Sequence, residues 1–143
     1  MTDQSQHQGA TVDELLDKAR SDIERVTPAQ LAELMNNTDD DDSLLVIDVR
    51  ERPDRERTGI IPGSVNIPLI VLEWRCDPTS PHAHPAVRSH QQQLVMVCNQ
   101  GYSSSLAAAS VKRLGFDQVA DLTDGIAGWA AAGLPLAPPE QLP

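Results

Sequence analysis

Short apolar runs, each bounded by polar or Pro/Gly-containing segments, give the chain its clearest pattern. LLVIDV at 44–49 is continuous and partly β-branched, which predicts a strand buried on both faces, as in a parallel sheet. LVMV at 94–97 and QVADL at 118–122 predict two more strands, and SVNI, just after the Pro62-Gly63 turn, a shorter one. Between these runs the apolar spacing becomes helical. Val12, Leu15, Leu16, Ala19 and Ile23 share one face of a helix that should run to about residue 25. Thr27 caps a second helix with Pro28 at its first position and Leu31, Leu34 and Met35 on its buried side. A short helix is expected at 69–74, an Ala-rich one at 103–114 closed by Gly115, and a last one in GIAGWAAAGLPL, with Trp129 in the core and Gly133 and Pro135 as the stop. Polar residues 50–63 read as a connection and 75–93 as a long irregular loop, of the kind that is often functional. Strands alternating with helices predict an α/β domain with a mainly parallel sheet.

Composition narrows this picture. At 143 residues the chain suits one domain, and with 40% apolar but only 3% aromatic residues its core must be built from Leu, Ile, Val and Ala. The expected organisation is a tail and amphipathic helix over 1–25, a domain over 26–137 and a short tail over 138–143. The first helix is expected to pack on the domain, with docking of a protein partner as its alternative role. A net charge of −10 argues against a nucleic-acid partner, which would need a basic face. The N-terminal residues have no signal-peptide pattern, and no run approaches the roughly 20 apolar residues of a membrane span. The expected location is the cytoplasm, where Cys76 and Cys98 would be reduced thiols. NNTDDDDS lacks the alternating ligands and glycine of a calcium loop and reads as acidic surface.

Cys98 carries the chemistry. It ends the strongest central strand candidate, and open parallel sheets bind ligands at the carboxyl ends of their strands. The turn NQGYSS then leads into a helix whose free N–H groups and dipole face back toward the sulfur. Such a nest holds a thiolate, a small anion or the terminal sulfur of a persulfide. The competing reading is a small buried hydrophobe at a strand end. A phosphatase loop also begins with a cysteine after a strand, but it needs an arginine fork for the phosphoryl oxygens. Residues 99–111 contain no basic residue, and Ser104 stands where the C-x5-R pattern places arginine.

The elements VIDVRE at 46–51, GIIPGSVNIP at 59–68, VCNQGYSSSLAAASVKRLGF at 97–116 and LTDGIAGWAAAGLPL at 122–136, in this order and spacing, resemble the rhodanese-like family of single-domain sulfurtransferases. The resemblance implies a mostly parallel five-stranded sheet flanked by helices, no metal or organic cofactor, and Cys98 as sulfur acceptor. Asn99, Gln100, Gly101, Tyr102, Ser103 and Ser104 would form the loop that cradles a persulfide, with Asp48 and Arg50 in support, Arg50 as a structural ion pair. A sulfane donor such as thiosulfate or a persulfide would load Cys98, and a thiol or cyanide would unload it. Two positions depart from the family pattern: Ser103 occupies the loop arginine and Ile60 the histidine of GHIPGA. A compensating cation would have to come from Arg52, Arg55, Arg57 or Arg75, with Arg75 the candidate substrate contact. Cys76 is considered as a resolving thiol, and Cys76 with His82, His84 and His90 as a zinc set whose spacing matches no common site. The non-enzymatic alternative is a rhodanese-like binding or regulatory module.

Overall fold

The structure, a computed structural model, describes residues 8–37 and 43–139. The acidic run at 39–42, most of the polar N-terminal stretch and most of the C-terminal tail lie outside the described residues. Strands β1 (Glu24–Val26), β2 (Leu44–Asp48), β3 (Val65–Asn66), β4 (Gln93–Val97) and β5 (Gln118–Leu122) form one sheet in the order β1-β5-β4-β2-β3. Every neighbouring pair is parallel, with Asp48 opposite Val97 and Val95 opposite Ala120. The helices are α1 (Val12–Asp22), α2 (Pro28–Asn37), α3 (Arg52–Thr58), α4 (Leu72–Cys76), α5 (Ser103–Lys112) and α6 (Gly125–Ala131).

The central strands are apolar throughout because both sheet faces are covered. Alternate residues Leu45, Ile47, Leu94, Met96 and Cys98 belong to one core with Leu72, Ala107, Ala108 and Val111 of α4 and α5. Their neighbours Val46, Val95 and Val97 belong to a second core with Leu31 of α2 and Ile126 and Trp129 of α6. Small residues on α5 let that helix lie close to the sheet, and the Trp129 indole N–H finds the Pro135 carbonyl at 2.7 Å.

Three elements differ from the sequence pattern. Helix α1 stops at Asp22, because Ile23 is extended and Glu24–Val26 pair with Ala120–Leu122 as an edge strand. Helix α3 lies within the stretch read as a connection; it holds no apolar residue, and its one buried side chain is Arg55. The loop after α4 is pinned from inside: the Gln92 amide oxygen accepts the Arg88 and Ser89 N–H groups, its nitrogen donates to the Ala86 carbonyl, and Val87 is buried. Helix α1 packs on α5 and buries Leu16 and Ala19, while Val12 and Leu15 stay exposed. None of the described helices is long and apolar enough to cross a membrane.

Candidate active site

Cys98 follows β4 directly, at the carboxyl end of the strand between β2 and β5. Its side chain is 6% exposed. The chain then reverses through Gly101, whose φ of +86° suits glycine, and enters α5 at Ser103. This turn brings the backbone N–H groups of Gly101 and Ser104 to 3.2 and 3.3 Å from Cys98 Sγ, and both donate to it. Tyr102, the N-cap of α5, makes no side-chain cap, so the sulfur takes that place for the Ser104 N–H. Fixed backbone donors of this kind, at a helix N-terminus, are the groups that hold a small anion in other settings.

The loop is held from three sides. Helix α6 enters from one: Ile126 and Ala127 donate to the carbonyls of Cys98 and Asn99 at 2.9 and 3.0 Å. That approach requires Gly125, where a Cβ would lie 2.4 Å from the Cys98 carbonyl oxygen. Asp124 before it is left-handed, at φ +61°, so the turn carries backbone strain of its own.

Arg50 holds the second side. It forms a buried bidentate pair with Asp48, Nη2 to Oδ2 at 2.8 Å and Nε to Oδ1 at 3.0 Å. Its Nη1 reaches Thr58 Oγ1 at 2.7 Å and Asn99 Oδ1 at 3.3 Å, and Nη2 the Gly59 carbonyl at 2.9 Å. The pair therefore ties the end of β2 to α3 and to the first loop residue. Asn99 in turn donates to Asp54 Oδ2, and hydrogen bonds from Arg57 and Asn99 hold the Asp54 carboxyl below the usual carboxylate range.

The third side comes from residues outside every motif in the sequence. Arg20 of α1 and Arg25 of β1 both donate to the Gly101 carbonyl, at 3.0 and 2.9 Å. Arg25 also forms a two-toothed pair with Asp121, which is fully buried in β5. The other donors to Asp121 are the hydroxyls of Ser104 and Ser105, at 2.8 and 2.7 Å. Ser104, at the position of the phosphatase arginine, thus points its hydroxyl inward. One sequence signal was available: a lone acid in an apolar strand needs donors, and a run of serines nearby can supply them.

Above the loop lies an open cleft of about 610 Å³. Cys98, Asn99, Gln100, Tyr102 and Ser103 line it on one side, and Arg50, Glu51, Asp54, Arg57 and Leu69 are among the residues on the others. Gly101 and Ser104 contribute N–H groups from beneath. Arg75, in the last turn of α4, is not part of this cleft; its guanidinium turns to the His82 carbonyl of the following loop, 3.1 Å away. Of the arginines weighed as compensating cations, Arg57 is the one that lines the cleft. Cys76 is 0% exposed in the core, where burial pushes its thiol up to about 12. Among the described residues no three His, Cys, Asp or Glu side chains converge as a metal-ligand set.

Residues 27–132 match the family model of the rhodanese-like domain. The chain belongs to that family. A sulfurtransferase of Allochromatium vinosum is 25% identical over 118 residues, covering 82% of this chain and 98% of that protein. YrkF of Bacillus subtilis is 32% identical over 91 residues, 64% of this chain, and the chain spans only 44% of its length. A Rhodopseudomonas palustris structure, described as a protein of unknown function and possible tyrosine phosphatase, superposes with a TM-score of 0.82 at 32% identity, covering 92% of this chain and 98% of that one.

Proposed function

We propose that the protein is a sulfurtransferase that carries sulfur as a persulfide on Cys98. The observation that carries this reading is the pair of backbone N–H groups aimed at Cys98 Sγ from Gly101 and Ser104. In the first step the Cys98 thiolate attacks the outer sulfur of a sulfane donor. The donor's S–S bond breaks, its remaining part leaves with the electron pair (sulfite from thiosulfate, a thiolate from a persulfide), and a Cys98 Sγ–S bond forms. In the second step a thiolate or cyanide attacks that outer sulfur, and the Cys98 thiolate returns. The two displacements replace one difficult transfer with two easier ones, with no net redox change and no cofactor. The loop N–H groups hold the charge in both resting forms without reorganising.

Charge in the cleft argues for the donor class. The two guanidinium groups of Arg50 and Arg57 are matched by the carboxylates of Glu51 and Asp54, and Arg50 is already saturated by Asp48 and its other acceptors. A dianion such as thiosulfate finds little net attraction there, while a singly charged persulfide with an apolar stem meets Leu69, Ile126 and Ala130. The persulfide is accordingly the favoured donor. Phosphate-ester hydrolysis is disfavoured because Ser104 stands in place of the arginine and is bonded to Asp121. The sulfurtransferase name of the Allochromatium relative agrees with the transfer reading.

Intact mass of the reduced protein after incubation with thiosulfate or with a small-molecule persulfide tests it. One added sulfur atom, removed by cyanide and missing in Cys98→Ser, is the expected result. A folded wild-type protein that gains no sulfur from either donor would instead indicate a binding module.

A further inference from the structure

A second cavity, of about 300 Å³, shares no lining residue with the Cys98 cleft and meets the Asp48–Arg50 pair through Asp48. It is lined by Asp48, Arg55, Ser64, Asn66 and His84, among others. Arg55 is only 6% exposed, and its Nε is buried without a hydrogen-bond partner. No carboxylate pairs with it among the described residues. A buried N–H donor without an acceptor is costly, so Arg55 Nε calls for an anion or a water as its partner.

The surroundings say which. Asp48 is the one carboxylate among the lining residues, and its two oxygens already accept four contacts from Arg50, so it offers Arg55 no partner. The Asn66 amide nitrogen is spent on the Asp48 and Arg50 carbonyls, and Ser64 Oγ donates to the Ile61 carbonyl. His84 Nδ1 accepts the Ala86 N–H, so the neutral ring carries its proton on Nε2 as a donor. Gly63, at φ +86°, lines the cavity from an exposed turn. With Asp48 neutralised by Arg50, the lining keeps one net positive charge in a chain of net charge −10.

We propose that the Arg55 cavity is a second, non-catalytic anion site that takes a small oxyanion. The guanidinium supplies the charge and a planar set of donors that matches carboxylate or sulfate oxygens. The cavity volume admits such an ion, and the two sets of lining residues are distinct, which keeps it apart from the Cys98 cleft. Neither sulfur transfer nor the Cys98 loop is needed for the binding.

Amide NMR titration of the full chain with sodium sulfate, and separately with sodium acetate, at ionic strength matched by sodium chloride, tests the site. Saturable shifts clustered at residues 60–66 are expected, with the tighter of the two salts telling a tetrahedral from a planar oxyanion. Arg55→Met should weaken this binding about tenfold or more, while Arg57→Ala, in the cleft, leaves it unchanged. Should Arg55→Met fail to fold, the wild-type shift map decides alone. Shifts confined to residues 99–104, binding unaltered in a folded Arg55→Met, or no effect beyond chloride would overturn the proposal.

Discussion

Arg25 Nε lies 2.9 Å from Asp121 Oδ1, joining an edge strand near the start of the chain to a buried acid beneath the Cys98 loop. Asp121 is 0% exposed, so the pair is more than a surface contact. Arg25→Met leaves Asp121 with only the two serine hydroxyls and takes one donor from the Gly101 carbonyl. We expect a loss of about 2–3 kcal/mol in urea unfolding and a lower rate of sulfur loading on Cys98. Arg25→Lys should recover only part of both, because one ammonium cannot serve Asp121 and Gly101 with the same fork.

Ser103 lines the cleft at the start of α5, where the family pattern has arginine. Ser103→Arg adds a cation beside Cys98 and should lower KM for thiosulfate about three- to tenfold, with little change for an uncharged-stem persulfide donor. A positive charge at a helix N-terminus is unfavourable, so the same variant should lose about 0.3–1 kcal/mol of stability. Steady-state kinetics with both donors and a denaturation curve check the two effects together.

His84 gives the fold a pH dependence. Burial first, and the Arg75 charge second, hold its imidazole below the ordinary value, and Nδ1 must stay unprotonated to accept the Ala86 N–H. The unfolded chain therefore takes up the proton first as pH falls through about 6.5. Stability from this group is complete above that pH and declines below it, until the folded imidazole also titrates. The midpoint of urea unfolding should drop between pH 7.5 and 5.5, and His84→Asn, which keeps an acceptor for Ala86, should flatten that slope.

Cys76 and Cys98 should part company under alkylation. Cys76 is fully buried, and burial lifts its thiol to about 12, so almost no thiolate forms at neutral pH. Peptide mapping after brief iodoacetamide treatment at pH 8 is expected to find label on Cys98 and none on Cys76. Labelling of native Cys76 at a comparable rate would show that α4 opens readily and would restore the resolving-thiol idea.

The sheet was legible where the chain is strongly patterned. LLVIDV and LVMV are apolar on both faces because helices cover both, and a continuous β-branched run has few other uses. Strand β1 escaped because three residues, two of them charged, form no pattern, and the apolar spacing of α1 continues smoothly through Ile23 into it. Helix α3 escaped for a stronger reason: with no apolar residue in RPDRERT, its buried position is filled by Arg55. Around Cys98, the turn and Gly101 followed from local sequence, whereas Arg20, Arg25 and Asp121 are 76 or more residues apart from their loop partners or strand-buried, and side-chain charge alone reads as solvated surface. Arg57 of α3 lines the cleft and Arg75 of α4 turns to the His82 carbonyl, a difference set by where each helix sits, which no local pattern records.

The close fit of Gly125 under the Cys98 carbonyl has a temporal side. The donors to the cysteine come from residues 101 and 104; Arg20, Arg25 and Arg50 precede them in the chain, while Asp121 in β5 and the N-terminus of α6 follow. A growing chain therefore carries Cys98 before it carries the segments that brace its loop from β5 and α6. The loop is thus braced from both directions along the chain, and the C-terminal half of the bracing is the later to exist.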